Sequence, residues 1–549
     1  MSTTRADERT PLLDDDGGGG GGGRSNGEPS QETTLSTLPS PSASKSTTRQ
    51  VAPDLLRGVL MILMALDHTS VSLGAYPHGT GTHSEEASVP VTQWSAPLPF
   101  AMRSSTHMVA PGFSLLMGMG IAYFIESRSR QGWTVTRQLR HIAVRTLAIL
   151  LVNYASVGVS MATWTGKFLV VPNIILVALA LDYLFVGVLY VLHVAYVEPW
   201  LKRTFSRRQG RCEADEDDES AVASLGEGSS STLVTVAVDA FLVLLAGVTL
   251  SANILTSAHH GVCPATQGHA HDHISAATSD APTIWLLAGG HTFQAAAAAS
   301  SSRPSSPPEV CQHPGKLLYN FLFQQVTCLD QGILSGFPPV GWLSFVIFGV
   351  AYGRWLLASR KRNISAQSIN ASLAVVFALL FVSTRLGQWG NTSTHCLSTP
   401  DQLAQKAGSN PYLASWRSFA YIVKYPPDAA FAFATLAGNF ILLALFDVAL
   451  STGPSLIKKS LQNPSNILLA YGVQPLFFYG AHFWVLMTVQ AILLYSGLAK
   501  RNAEGRPEVG LGWVFLAGYA TVLGVMWPLC VAFGRFKRRQ GGDSVWKFL

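Results

Sequence analysis

Pro53-Asp54-Leu55-Leu56-Arg57-Gly58, followed by an uncharged run through Met61 and Met64 to Asp67-His68, is the stretch whose reading decides the fold. At 100° per residue, Asp54, Arg57, Met61, Met64 and His68 fall on one stripe of a helix. Arg57 and His68 then stand about 16 Å apart along its axis, at 1.5 Å per residue. A helix this apolar carries ionisable groups only at a cost of roughly a few kcal/mol each, unless they are paired or functional. The stretch therefore predicts a membrane span. The Asp54–Arg57 pair marks one face of the bilayer, and Asp67-His68 lies near the other.

Working outward, the next block is Arg103-Ser-Ser-Thr106-His107-Met-Val-Ala-Pro111, running on to Gly118 and Gly120. It places Thr106 and His107 at the mouth of a second apolar helix, where Gly118 and Gly120 are expected to admit a neighbouring backbone. The 549 residues are 48% hydrophobic and 13% charged, against about 25% charged in soluble domains. That is a membrane composition. Apolar runs long enough to cross a bilayer lie near 55–75, 108–125, 142–161, 168–197, 233–255, 340–358, 373–386, 429–450, 467–494 and 511–533. The expected fold is all-α, a polytopic membrane bundle of about ten helices. Pro172 in the fourth run leaves open a short re-entrant piece before the span. The domain layout is a disordered tail over 1–50, a membrane domain over 51–539 and a short tail over 540–549. A disordered loop is expected over 198–231 and a large loop over 258–338.

Loop charge orients the bundle, because Lys and Arg concentrate on cytosolic loops. Arg128, Arg130, Arg137 and Arg140, then Lys202 to Arg211, Arg360 to Arg362, Lys458-Lys459 and Arg535 to Arg539 all fall on even-numbered loops or the tail. Lys500 and Arg501 break the pattern. Both termini are expected in the cytosol. The odd loops hold four of the six cysteines and the sequon Asn391-Thr-Ser, which suits an oxidising, glycosylating compartment. The cysteine pairing is not deducible from sequence. The glycine run and Ser/Thr/Pro tract before residue 50 cannot bury enough apolar surface to fold, and no cleavable signal peptide is read there. Within that tail, Glu8-Arg-Thr-Pro-Leu12-Leu13 resembles an acidic dileucine signal, read by sorting adaptors on proteins bound for vacuolar or lysosomal membranes. With +6 net charge and no basic stripe, nucleic acid is not an expected partner.

Two histidines, His68 and His107, bracket one loop, with Asp67 adjacent and Arg103 in reach. A single such histidine is most often a satisfied polar contact. Two around one loop predict an acid–base site, since imidazole titrates near neutrality and Arg103 or Thr106 offers donors for an oxyanion. His482, Tyr479, Gln474 and Asn439 are ionisable or polar groups inside apolar runs and join the candidates. Asp54 and Arg57 read either as a pair fixing helix depth or, with Arg140 and Arg145, as an anchor for phosphates. The His269-Ala-His271-Asp-His273 run has ligand chemistry without a fixed frame, so no metal is expected.

Several of these blocks carry a family resemblance. Asp54-Leu-Leu-Arg57-Gly58, Ala65-Leu-Asp67-His68 and Arg103 to Pro111 look like motifs of multi-pass membrane proteins related to the heparan-α-glucosaminide N-acetyltransferase catalytic domain. Ser335 to Trp342 with Gly353-Arg354, Lys424-Tyr425-Pro426-Pro427, and Gln474-Pro475 through Tyr479 to His482 resemble the same family. That family belongs to the transmembrane acyltransferase superfamily. The resemblance spans about Val51 to Arg539. It implies transfer of an acyl group from acetyl-CoA, or another acyl-CoA, to a lumenal acceptor such as a sugar. Two other readings stay open: a transporter lined by the intramembrane polar residues, and a scaffold with a degenerate site, since no histidine lies between Arg103 and Thr106. Membrane lipid is an implied partner in each, and self-association is left open.

Overall fold

The computed structural model describes residues 50–82, 85–159, 171–212, 223–257, 261–263, 313–323, 325–328, 333–502 and 507–541, with 544 and 546. They belong to one compact unit beginning at Gln50. In chain order the helices are α1 Ala52–Ser72, α2 Pro97–Thr106, α3 Val109–Arg130, α4 Val135–Asn153, α5 Ile175–Leu192, α6 Glu198–Cys212, α7 Ala223–Thr256 and α8 Pro314–Phe323. They continue with α9 Pro339–Lys361, α10 Ala366–Gly387, α11 Ala429–Ser451, α12 Ser455–Gln462, α13 Ile467–Val473, α14 Pro475–Tyr495 and α15 Trp513–Arg539. Among the described residues, ten helical segments are long and apolar enough to cross a membrane. The fold is the expected all-α polytopic bundle.

Local chemistry sets the ends of these helices. α1 opens with Pro53 in its first turn and Asp54 beside the positive end of the helix dipole. It closes on Gly74, whose φ of +58° is a left-handed conformation that glycine adopts without cost. α4 and α10 are capped by Thr134 and Ser365, which accept hydrogen bonds from Arg137 N and Ser368 N at 3.3 and 3.1 Å. Asp428 caps α11, accepting from Phe431 N at 2.7 Å.

The structure departs from several expectations. The second run, near 108–125, is one helix, α3, but a helix not expected there, α2, precedes it, and the two separate because Pro111 has no N–H to return to the His107 carbonyl. The ninth run breaks in the same way at Gln474-Pro475, giving α13 and α14. In the fourth run, where Pro172 left a short re-entrant piece open, the described residues begin with a strand, β1 Val171–Asn173. β2 Val326–Cys328 and β3 Ile333–Ser335 complete its sheet, in the order β1-β3-β2. β1 runs parallel to β3 with Pro172 opposite Leu334, on an edge strand where a proline is tolerated. The segment 198–231, expected to be a disordered loop, is helical over Glu198–Cys212 and again from Ala223. Glu198 is held at 2.9 Å by Lys202 one turn on and at 3.8 Å by Arg354 of α9, which gives that helix start a tertiary anchor.

Two close helix pairs organise the interior. α3 and α9 meet through Gly118, Gly349 and Gly353: a Cβ on Gly118 would overlap the Val346 carbonyl, and one on Gly349 the Leu115 carbonyl. Gly120 was expected to share this seam. It faces open space instead, because two residues along a helix turn it about 200° away. α1 and α13 meet through Gly58 and Gly472, whose added Cβ atoms would overlap the Leu468 and Asp54 carbonyls.

At the end of the bundle where α1 finishes, loops form a cap. Residue 91 pairs with 396–398 through Val91 N to Cys396 O at 2.8 Å and Ser398 N to Val91 O at 3.0 Å. Lys424 N and Tyr425 N both donate to Glu85 O, at 2.9 and 3.1 Å. The cysteine pairing left open by the sequence includes Cys263–Cys396.

Candidate active site

Beneath that cap, four segments deliver charged side chains to one place. α1 supplies Asp67, α2 supplies Arg103 and Thr106, the loop after α1 supplies His78 and Glu85, and the loop before α11 supplies Lys424. Arg103 is fully buried and bridges two carboxylates. Its Nη1 donates to Asp67 Oδ1 at 2.7 Å, and its Nη2 to Glu85 Oε2 at 2.9 Å. Thr106 Oγ1 adds a bond to Asp67 at 3.2 Å, and Glu85 also accepts from Thr80 N at 2.7 Å. His107 Nε2 lies 3.4 Å from Glu85 Oε2. That is an ion-pair distance without hydrogen-bond alignment, so neither ring nitrogen of His107 makes a hydrogen bond.

The electrostatics follow from burial and from this one guanidinium. Burial pushes the Glu85 carboxyl up, but Arg103 and then His107 outweigh it and hold the group well below the usual carboxylate range. Lys424 is 5% exposed. Its Nζ lies 5.1 Å over the Tyr425 ring and 5.5 Å over Phe337, with no hydrogen bond or ion pair among the described residues. Burial first, and Arg103 second, push its pKa down to about 8, against the pull of Asp67 and Glu85. His78 is shifted down by burial and by Arg103, and its Nδ1 sits 3.8 Å from Asp67 Oδ1. The site thus holds an ionised acid, a fixed cation, an amine near its titration point and a weakly basic imidazole. Only Asp67 and His78, with side chains 15% and 19% exposed, open toward the surface.

The other candidate residues have partners of their own, although His68, next to Asp67, lies within electrostatic reach of Asp67, Arg103 and Lys424. His68 and His107, expected to work as a pair around one loop, have different partners. His107 faces Glu85, while His68 meets His482 of α14, with Nδ1 and Nε2 2.8 Å apart. The reason is helical: His68 is turned about 100° from Asp67 and its network. Tyr479 packs edge-on to both imidazoles, with centroids 6.4 and 5.6 Å away. Asn439 of α11 donates to Met108 O at 3.1 Å, at the α2–α3 break. Gln474 lies at the α13–α14 break, buried. Neither touches the His68–His482 pair. At the opposite end of α1, Arg57 pairs with Asp54 at 2.5 Å. Arg140 and Arg145 are exposed, the latter 5.2 Å over the Tyr183 ring.

Asn391 has a structural job. Its Oδ1 accepts from Arg385 at 2.7 Å, and its Nδ2 donates to Thr384 O and Trp389 O at 3.0 and 2.9 Å. A glycan on Nδ2 would displace one of those bonds. Glu8, Leu12 and Leu13 lie outside the described residues, as do His269, His271 and His273. No group of three potential metal ligands occurs among the described residues.

The chain matches no protein-family model and no curated protein. Sequence reasoning missed Glu85, His78 and Lys424 as site residues. Lys424 carried a signal, since it lies inside a motif already singled out. Glu85 carried none, since a glutamate in a polar loop looks like any solvated charge.

Proposed function

We propose that this protein is a membrane-embedded acyltransferase that moves an acyl group from an acyl-CoA to a hydroxyl or amine on an extracytosolic acceptor such as a sugar. One observation carries the reading: acid, cation, amine and imidazole converge at Asp67, Arg103, Lys424 and His78, and only the acid and the imidazole reach the surface. Such a set can hold an acceptor through Asp67 and stabilise a developing oxyanion through Arg103 or Lys424. The donor's phosphates would sit at the Arg57 end, with Arg140 and Arg145 near that face. Its thioester would then extend about 15 Å along the ten residues of α1 between Arg57 and Asp67. Both termini would be cytosolic. The Glu8–Leu13 string would send the protein to a vacuolar or lysosomal membrane.

A second reading, a transporter, is favoured by the two interrupted helices at His107 and Gln474, since broken helices line many transport sites. The two separate in one assay. Purified protein is given labelled acetyl-CoA with sugar acceptors, and free coenzyme thiol and acylated product are measured. Acyltransfer predicts thiol release that falls roughly 10²–10⁴-fold in Asp67→Asn, as for loss of a polar catalytic group. Arg57→Ala should instead weaken donor binding. No thiol release from the wild type, together with sugar flux in proteoliposomes, would hand the case to the transporter.

A further inference from the structure

The His68–His482 contact has a direction that can be worked out. The ring planes are 17° apart and the centroids 5.1 Å apart, with Nδ1 of His68 2.8 Å from Nε2 of His482. The centroid separation exceeds the N···N distance by about the two ring radii, so the imidazoles meet edge to edge in nearly one plane. That is the geometry of an N–H···N hydrogen bond. One nitrogen must donate and the other accept.

The far side of His482 decides which. Its Nδ1 lies 2.6 Å from Tyr479 O and 3.1 Å from Phe478 O. A carbonyl oxygen only accepts, so His482 Nδ1 carries the proton. His482 Nε2 is then the bare nitrogen of a neutral ring, and the shared proton belongs to His68 Nδ1. What remains is His68 Nε2, a lone pair with no hydrogen-bond partner among the described residues. His482 is fully buried, and Phe483 packs against both rings, with centroids 4.9 and 4.3 Å away. No carboxylate lies within ion-pair distance of either imidazole among the described residues, and burial disfavours an extra proton on the resting pair.

We propose that His482 is a positioning residue that locks His68 in its Nδ1–H tautomer, leaving His68 Nε2 as the proton acceptor of the transfer reaction. The catalytic part rests on the acyltransferase reading above; the tautomer assignment does not. In the step, the acceptor's oxygen or nitrogen attacks the thioester carbonyl carbon while its proton passes to His68 Nε2. The tetrahedral intermediate collapses, the carbon–sulfur bond breaks, and the same proton moves from His68 Nε2 to the departing sulfur. Acyl thioester and acceptor become acylated acceptor and thiol, and His68 ends neutral. Throughout, the Nδ1–H bond to His482 keeps the ring from turning, and the Tyr479 carbonyl keeps His482 from turning. The logic is that of an acid that orients a histidine base, with a backbone carbonyl and a second imidazole in the orienting place.

The test uses full-length protein labelled with ¹⁵N-histidine in detergent, with His68→Ala and His482→Ala spectra assigning the two residues. Long-range ¹H–¹⁵N correlation at neutral pH should find both rings protonated at Nδ1 and bare at Nε2. A proton on His68 Nε2 would overturn the assignment, whatever the activity. Turnover supplies the second arm. His482→Phe keeps a ring but removes the acceptor, and it should lower kcat roughly 10²–10⁴-fold with KM for acetyl-CoA unchanged. His482→Gln, which restores an acceptor oxygen, should recover much of that loss. Equal kcat in wild type and His482→Phe would refute the positioning role. If the spectra are as expected and the wild type releases no thiol, the tautomer lock stands and the acyltransferase reading fails.

Discussion

Lys424 shows how one residue's surroundings become measurable. Its folded pKa of about 8 lies below its ordinary 10.5 because burial and Arg103 oppose its charge. Between these values the unfolded chain holds a proton that the folded chain has released, so stability rises with pH through that window. Below about 8 both states are protonated and the full penalty applies. Lys424→Met removes the penalty. The variant should therefore melt higher than wild type at pH 7, and its advantage should shrink steadily from pH 8 to 10.5. A constant difference across that range would mean that Lys424 is not depressed. At this scale the sequence was half legible. Asp67, His68 and His482 were visible because a polar group in an apolar run is conspicuous, and Arg103 because it opens the block before the second run. Glu85 and Lys424 were hidden because their burial comes from loops folding over one another, which no local pattern records.

At the scale of elements, apolar periodicity located the spans, while their interruptions depended on single prolines. Pro111 and Pro475 each cost one helical hydrogen bond, and the chain turns both breaks to use, with Asn439 bonding the Met108 carbonyl at the first. Segment 198–212 was misread because its polarity suggested solvent, whereas Glu198 reaches Arg354 of another helix. Glycines separate in the same manner. Gly118→Ala puts a methyl group into the Val346 carbonyl, and we expect it to destabilise the protein by about 1–3 kcal/mol, the usual cost of overpacking. Gly120→Ala meets nothing and should be neutral or slightly stabilising, by up to ~1 kcal/mol of helix propensity. Unfolding of both variants in one detergent checks the contrast, and equal effects would refute the seam.

Across the whole molecule, one covalent bond relates two loops. Cys263 follows the fifth span and Cys396 the seventh, so the two spans between them return the chain to the same face. Disulfides persist in oxidising compartments, and together with the basic even-numbered loops this bond motivates the proposal that both termini are cytosolic. We expect a tag at either terminus to be digested by protease added to intact, cytosol-side-out vesicles. A tag inserted after residue 406 should be digested only after permeabilisation. Protection of the terminal tags would invert the bundle and place the Asp67 cluster in the cytosol.

The strand-like pairing of Glu85 with Lys424 and Tyr425 has a consequence for synthesis. Glu85 is translated early, behind the first span, yet the backbone that covers it is translated only after seven spans. Until then Arg103 and its two carboxylates lack the backbone that closes over Glu85 in the finished fold. A chain stopped before residue 424 would therefore present an open, charged vestibule in place of a buried cluster. Maturation of the site is thus tied to translation of the loop that leads into the eighth span, late in the synthesis of the chain.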